Sequence, residues 1–222
     1  MSSLTSEVLP LALGAAVSPT ILTVAVVVLS GAHGRARMLV FAAANVLVLS
    51  AIGIVGLFVF THSAGSGPRP QQKSADAAIN AVIGLILLIL GFRSLLKRPN
   101  AAEQEEKPTS SSDPNLPRFM LLGVVMMLSN FTTLALFLPA DKDIALAHAE
   151  TVQRALVFAG LIVVATAAAW LPLLLTCLAP NASRPALKAV YRFTTDYRRQ
   201  ISVVVCFAFG AYLLVKGMSA DL

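Results

Sequence analysis

The sequence predicts an all-α integral membrane protein. It has six transmembrane helices in a 3+3 inverted-topology repeat, with interrupted first and fourth helices. Three observations carry this expectation: the composition, six runs free of charge, and a likeness between the two halves. The 222 residues are 57% hydrophobic and 13% charged, with a mean hydropathy of +0.78. A soluble domain is about 45–50% apolar and about 25% charged, so this chain has too little polar surface for a soluble enzyme.

The runs without Asp, Glu, Lys or Arg are 8–34, 38–68, 77–92, 119–140, 155–183 and 200–215. About 20 apolar residues cross a bilayer. Four runs are long enough outright. The runs 77–92 and 200–215 are lengthened by flanking basic residues, Arg93 and Lys97 for one and Arg198, Arg199 and Lys216 for the other. Such side chains snorkel toward the headgroups. No Lys or Arg precedes position 35, so no basic region of a cleavable signal peptide is expected and the first helix stays in the mature protein.

The first helix carries Ser18-Pro19-Thr20 near its middle. Proline lacks an N–H, and its ring clashes with the carbonyl four residues back, that of Ala15, at a cost of about 3 kcal/mol in a helix interior. Ser followed by Pro is also a helix-start signature. A half-helix from Pro19 would aim its N–H groups, with about half a positive charge, at an anionic group near mid-membrane. The second helix holds Asn45, expected to hydrogen-bond a neighbouring helix or line a pathway, and the third is entered by Asp76 and Asn80, expected as interfacial caps.

The fourth helix repeats the interruption. Ser129-Asn130-Phe131-Thr132-Thr133 lies near its centre, and Asn in hydrocarbon must find a hydrogen bond. Asn130 can cap a half-helix of opposite sense, so that it meets Ser18 across a pseudo-two-fold axis. Either break alone reads equally as a simple kink with its carbonyls satisfied again. Trp170 and Pro172 in the fifth helix read as packing and a kink, and Thr166 as bonded to its own helix. Asp196 and Tyr197 enter the sixth.

The halves are joined by residues 97–117, rich in Pro, Ser and Glu, a composition that cannot offset its ordering entropy. The expected units are 1–96, a flexible linker at 97–117, and 118–222. Arg37 opens RMLVFA and Arg154 opens RALVFA, and GFRSLLK from Gly91 is echoed by GAYLLVK from Gly210. Two such three-helix units in tandem enter the membrane from opposite sides, as in many secondary transporters.

With six spans the loops alternate sides. One side holds both termini and Arg69, Lys73, Lys142, Arg154 and Lys216; the other twelve of the seventeen basic residues lie opposite. The positive-inside rule puts those twelve, and the linker, in the cytoplasm and both termini outside. The net charge of +6 then faces anionic lipid and needs no nucleic-acid partner. Cys177 and Cys206 show no metal-ligand spacing and read as apolar packing residues. No acidic residue is expected deep in any span, which argues against a proton pump or cation channel built on buried carboxylates. No metal cluster, cofactor motif, ATP-binding motif or nucleophile–base pair is expected, so the chain is expected not to be an enzyme.

The Ser-Pro-Thr break, SNFTTLALFLPA from Ser129, the two halves and the linker together resemble the peptidoglycolipid-addressing (GAP, or Sap) family within the lysine-exporter (LysE) superfamily. That resemblance implies a part in exporting cell-envelope glycolipid, of peptidoglycolipid or sulfolipid type, across the cytoplasmic membrane. The expected pathway residues are Ser18, Pro19, Thr20, Asn45, Ser129, Asn130, Thr132 and Thr133. The expected partners are membrane lipids, a lipid or amphipathic substrate, and either further copies of the chain or a larger lipid-export machinery. Two alternatives stay open. A small-solute exporter would show a closed polar cavity around Asn45 and Asn130. A non-transporting assembly factor would be tightly packed at the level of Pro19 and Asn130.

Overall fold

A computed structural model describes residues 2–31, 33–64, 69–96, 115–147, 149–178 and 180–219. Among them are nine helices and no strand: α1 (Ser2–Ala16), α2 (Pro19–Ser30), α3 (Gly34–Ala64), α4 (Arg69–Leu96), α5 (Leu116–Leu128), α6 (Phe131–Leu146), α7 (Thr151–Ala165), α8 (Ala167–Leu178) and α9 (Pro180–Ser219). Three helical stretches are long and apolar enough to cross a membrane unbroken: Gly34–His62, Ala78–Leu96 and Leu187–Met218. Three further spans arise if each bent pair is one crossing: α1 with α2 at 53°, α5 with α6 at 69°, and α7 with α8 at 71°. The flanks suit a lipid surround, with Ile54, Phe58, Leu85, Ile89 and Val204 about half to two-thirds exposed. A contiguous apolar surface of that extent is foreign to a soluble monomer.

The interruptions expected at Ser18 and Asn130 are present. Ser18 is an extended N-cap whose side chain accepts from the Ile21 N–H, with Pro19 at the first turn of α2. Asn130 caps α6 by accepting from the Thr133 N–H. The kink expected in the fifth helix at Pro172 lies instead at Thr166, as a third break. The Thr166 hydroxyl donates to the Ile162 carbonyl at 2.7 Å, as expected of it, while Ala169 N–H restarts the ladder on the Thr166 carbonyl. Pro172, inside α8, cannot donate to the Ala168 carbonyl one turn back, which weakens the ladder just beyond the bend.

Two other expectations change. The loop expected at 184–198 is helical, because α9 is continuous from Pro180 to Ser219. Its basic residues have good helix propensity, and the apolar stretch that follows carries the helix on. Residues 97–114 of the expected linker lie outside the described residues, and from Leu116 onward the chain is already α5. The turn from α2 to α3 is tight: His33 takes a positive φ of 57°, and a Cβ on Gly34 would overlap the Leu29 backbone, so only glycine fits there.

Packing fixes the helix directions. Gly84 of α4 lies against the Gly210 carbonyl and Leu214 of α9, whereas Gly91 lies against Cys206 and Phe207. Rising numbers on one helix meet falling numbers on the other, so α4 and α9 are antiparallel. The glycines let the two backbones approach closely. Helices α1 and α6 are also antiparallel, since Gly14 meets Leu136 and Ala15 meets Thr133. Helix α3 runs alongside both α5 and α6, with Phe41 and Ala44 on Gly123 and with Gly53 and Gly56 on Phe137 and Asp141. Leu11, Ala15, Phe41, Met127, Leu136 and Phe137 form the centre of the core.

Candidate functional site

The two breaks meet. Pro19 has no N–H to give the Ala15 carbonyl, and that freed carbonyl accepts the Thr133 hydroxyl across the bundle at 2.9 Å. Asn130 Nδ2 donates to Ser18 Oγ at 2.9 Å and to Thr133 Oγ1 at 2.8 Å. Each cap therefore serves its own half-helix and the other break at once. Ser18 and Thr133 are buried and Asn130 half-buried, so the exchange takes place where unpaired polar groups are costly.

Of the eight expected pathway residues, the structure joins Ser18, Asn130 and Thr133 directly, and Pro19 through the Ala15 carbonyl. Thr20 lies beside them and accepts a hydrogen bond from Arg198 Nη2 at 3.2 Å. Ser129 is exposed, and Thr132 meets the Cys206 thiol of α9. Asn45 is fully buried, but its Nδ2 donates to the Phe41 carbonyl of its own helix at 2.8 Å rather than to a neighbour. Its Oδ1 has no partner, and its amide lies against Gly123 of α5.

A cleft of about 430 Å³ opens beside the seam, lined by Val17, Ser18, Pro19 and Leu22 on one wall and by Val190, Phe193, Thr194 and Ile201 of α9 among those on the other. The lining is almost wholly apolar. Arg198 lies on the same face of α9 as Thr194 and Ile201, at helical spacings of three and four. Its guanidinium reaches Thr20 at the N-terminal end of α2. The neighbouring Arg199 caps the end of α4 through the Ser94 carbonyl at 2.9 Å and the Leu95 carbonyl. Sequence reasoning treated both arginines as snorkelling anchors. Only the continuous helix of α9, which replaces the expected loop, carries Arg198 to the break.

A second polar group lies at the other end of α6, and it corrects the expectation that no acid is buried in a span. Asp141 is fully buried and Lys142 is 2% exposed. Lys142 Nζ donates to Asn80 Oδ1 of α4 at 3.0 Å, so Asn80 is a buried partner and not an interfacial cap. Asp143 takes the Lys216 ammonium of α9 at 2.6 Å, and Glu7 of α1 lies 3.9 Å from the same ammonium. Both Asp141 carboxylate oxygens lack a hydrogen-bond partner. The run of hydrophobicity ended at Ala140, which hid the fact that the helix and its burial continue. Among the described residues no group of three or more His, Cys, Asp or Glu could hold a metal ion. Both cysteines are free, Cys206 buried and Cys177 exposed.

Apolar helices with lipid-facing flanks, broken where their polar groups pair, define a multi-pass membrane protein. A family model described as Sap, sulfolipid-1-addressing protein, matches residues 8–219, and the chain belongs to that family. The membership ties this membrane protein to lipid addressing. No curated protein and no solved structure matches the chain.

Proposed function

We propose that the chain is an inner-membrane transport protein that moves an anionic, amphipathic envelope glycolipid toward the cell surface, and that it is not an enzyme. The observation that carries this reading is the open apolar cleft at the seam, with Arg198 bonded to Thr20, the neighbour of the lining residue Pro19. Acyl chains suit its Phe193, Leu22 and Val190 walls. A negatively charged headgroup suits the guanidinium and the N-terminal N–H groups of α2. An open apolar cleft is the feature that favours lipid over a small polar solute.

The architecture in this reading is the six-span inverted repeat, with units 1–96 and 118–222 around the linker. The helix packing supports it. Helix α3 packs on α5 as α7 packs on α1, α2 packs on α8 as α6 packs on α3, and α4 packs on its own counterpart α9. The same layout supports placement in the lysine-exporter superfamily. The twelve basic residues gather anionic lipid on the cytoplasmic side, the termini lie outside, and lipid passes as one half rocks against the other. Ser18, Pro19, Thr20, Asn130 and Thr133 form the gate. Asn45, Ser129 and Thr132 line or support the path. The chain works with further copies of itself or in a larger lipid-export machinery.

Deleting the chain and comparing surface lipids with cell-associated lipids tests this. The expected result is loss of one anionic glycolipid from the surface with its retention in the cell. An unchanged surface profile together with a solute accumulating inside would replace lipid by a small solute.

A further inference from the structure

We propose that Asp141 is a proton-binding site whose protonation state sets whether the seam between Ser18 and Asn130 is closed or open. The inference rests on the transport reading above and gives its gate a pH-dependent control. Asp141 belongs to α6, the second half of a broken span, and is fully buried with neither oxygen hydrogen-bonded. A charged carboxylate in that position is strongly disfavoured, and the neutral acid is not. The contact is also close: a Cβ on Gly56 of α3 would overlap Asp141 Oδ2, so a larger residue there would force the carboxyl group to turn away.

The surroundings single out Asp141 among the titratable groups at this end of the bundle. Lys142 is engaged with Asn80 of α4, and Asp143 and Glu7 of α1 share the ammonium of Lys216 of α9. On α3, His62 is exposed and bonded to the Phe58 carbonyl. On the α7 side, Arg154 donates to the Ala149 carbonyl. Asp141 alone of these is buried without a partner, so gaining or losing a proton changes its local energy most.

Helix α6 transmits that change. From Phe131 to Asp141 it is one helix of about 15 Å at 1.5 Å per residue, in which Pro139, two residues before Asp141, removes the bond to the Ala135 carbonyl. One end carries Asp141 against Gly56, and the other carries Asn130 and Thr133 on Ser18 and Ala15. With a proton bound, the neutral acid packs on Gly56 and the seam is closed. When the proton leaves to water, the carboxylate must withdraw from Gly56 toward a solvating group, and α6 moves with it. The hydrogen bonds at its far end then part and the cleft opens into the bundle.

The test uses the full chain in lipid nanodiscs, with Cys177→Ala and spin labels on Val17→Cys and Phe131→Cys, on the two sides of the seam. The expected result is two label distances whose population ratio changes about tenfold between acidic and alkaline buffer, as a ligand-biased two-state equilibrium requires. Asp141→Asn, a neutral mimic of the acid, holds the acidic ratio at every pH, whereas Asp143→Asn and Glu7→Gln keep the shift. Infrared spectra of the labelled chain with Asp141 intact show a protonated-carboxyl band near neutral pH that Asp141→Asn removes. The proposal is overturned if the label distances ignore pH, if Asp141→Asn keeps the full shift, if the band is absent, or if the ratio follows sodium at fixed pH. These readouts involve no transported lipid. A pH response in a protein whose deletion leaves surface lipids unchanged would sink the lipid reading alone.

Discussion

Asn130→Leu is expected to cut delivery of lipid to the surface by about tenfold, equivalent to about 1.4 kcal/mol, while the protein still accumulates in the membrane. Asn130 makes three of the hydrogen bonds that hold the two breaks together. Its Oδ1 accepts from the Thr133 N–H, and its Nδ2 donates to Ser18 Oγ and Thr133 Oγ1. Losing an N-cap costs about 0.5–2 kcal/mol, and an interhelical hydrogen bond within a membrane averages about 0.6 kcal/mol. Those losses are enough to bias a gate and too small to unfold a core that extends from Leu11 to Leu213. Leu also suits hydrocarbon, so insertion is unimpaired. Surface-lipid quantification against protein abundance by immunoblot measures both halves of the expectation. Normal delivery would remove Asn130 from the gate.

The second large effect is on stability. Gly84→Ala places a methyl group 2.9 Å from the Gly210 carbonyl oxygen and 3.0 Å from the Leu214 nitrogen, both backbone atoms. Neither can turn away, so α4 and α9 must separate. Overpacking of this kind costs about 1–3 kcal/mol. At about 2–4 °C per kcal/mol for a chain of this size, the melting temperature in detergent falls by several degrees. Gly160→Ala is the control. A Cβ there meets nothing within 4 Å, and exchanging Gly for Ala in a helix favours folding. The first variant should melt lower than the unaltered chain and the second no lower. Equal melting would mean that the glycine contact does not set the helix spacing.

The fold was legible where the sequence breaks its own pattern. Ser18-Pro19 stops a helix for reasons local to those residues, and Asn130 needs a hydrogen bond wherever hydrocarbon surrounds it. Both therefore announced the seam, including its meeting across the bundle. Arg198 was not legible as a site residue. Its reach to Thr20 depends on α9 continuing through 184–198, which local composition had assigned to a loop. Asp141 was hidden for the converse reason. A charge at the edge of an apolar run reads as the end of a span, and only packing against Gly56 and α4 shows that the burial goes on. The bend at Thr166 had a weak signal in Pro172, but a proline in a membrane helix does not fix where, or how far, the helix turns. Asn45 satisfied its donor on its own helix, an option always open to a side chain that can reach back one turn.

The proposed role requires that the cleft at the seam receive an anionic envelope lipid. A photo-crosslinking amino acid at Val190, on the cleft wall, tests it in living cells, with Val204 on the exposed face of α9 as the reference. Mass spectrometry of the captured adducts is expected to find an anionic glycolipid enriched at Val190 over Val204, and Arg198→Ala to abolish the enrichment. Bulk membrane lipids captured in the same proportions at both positions would contradict it.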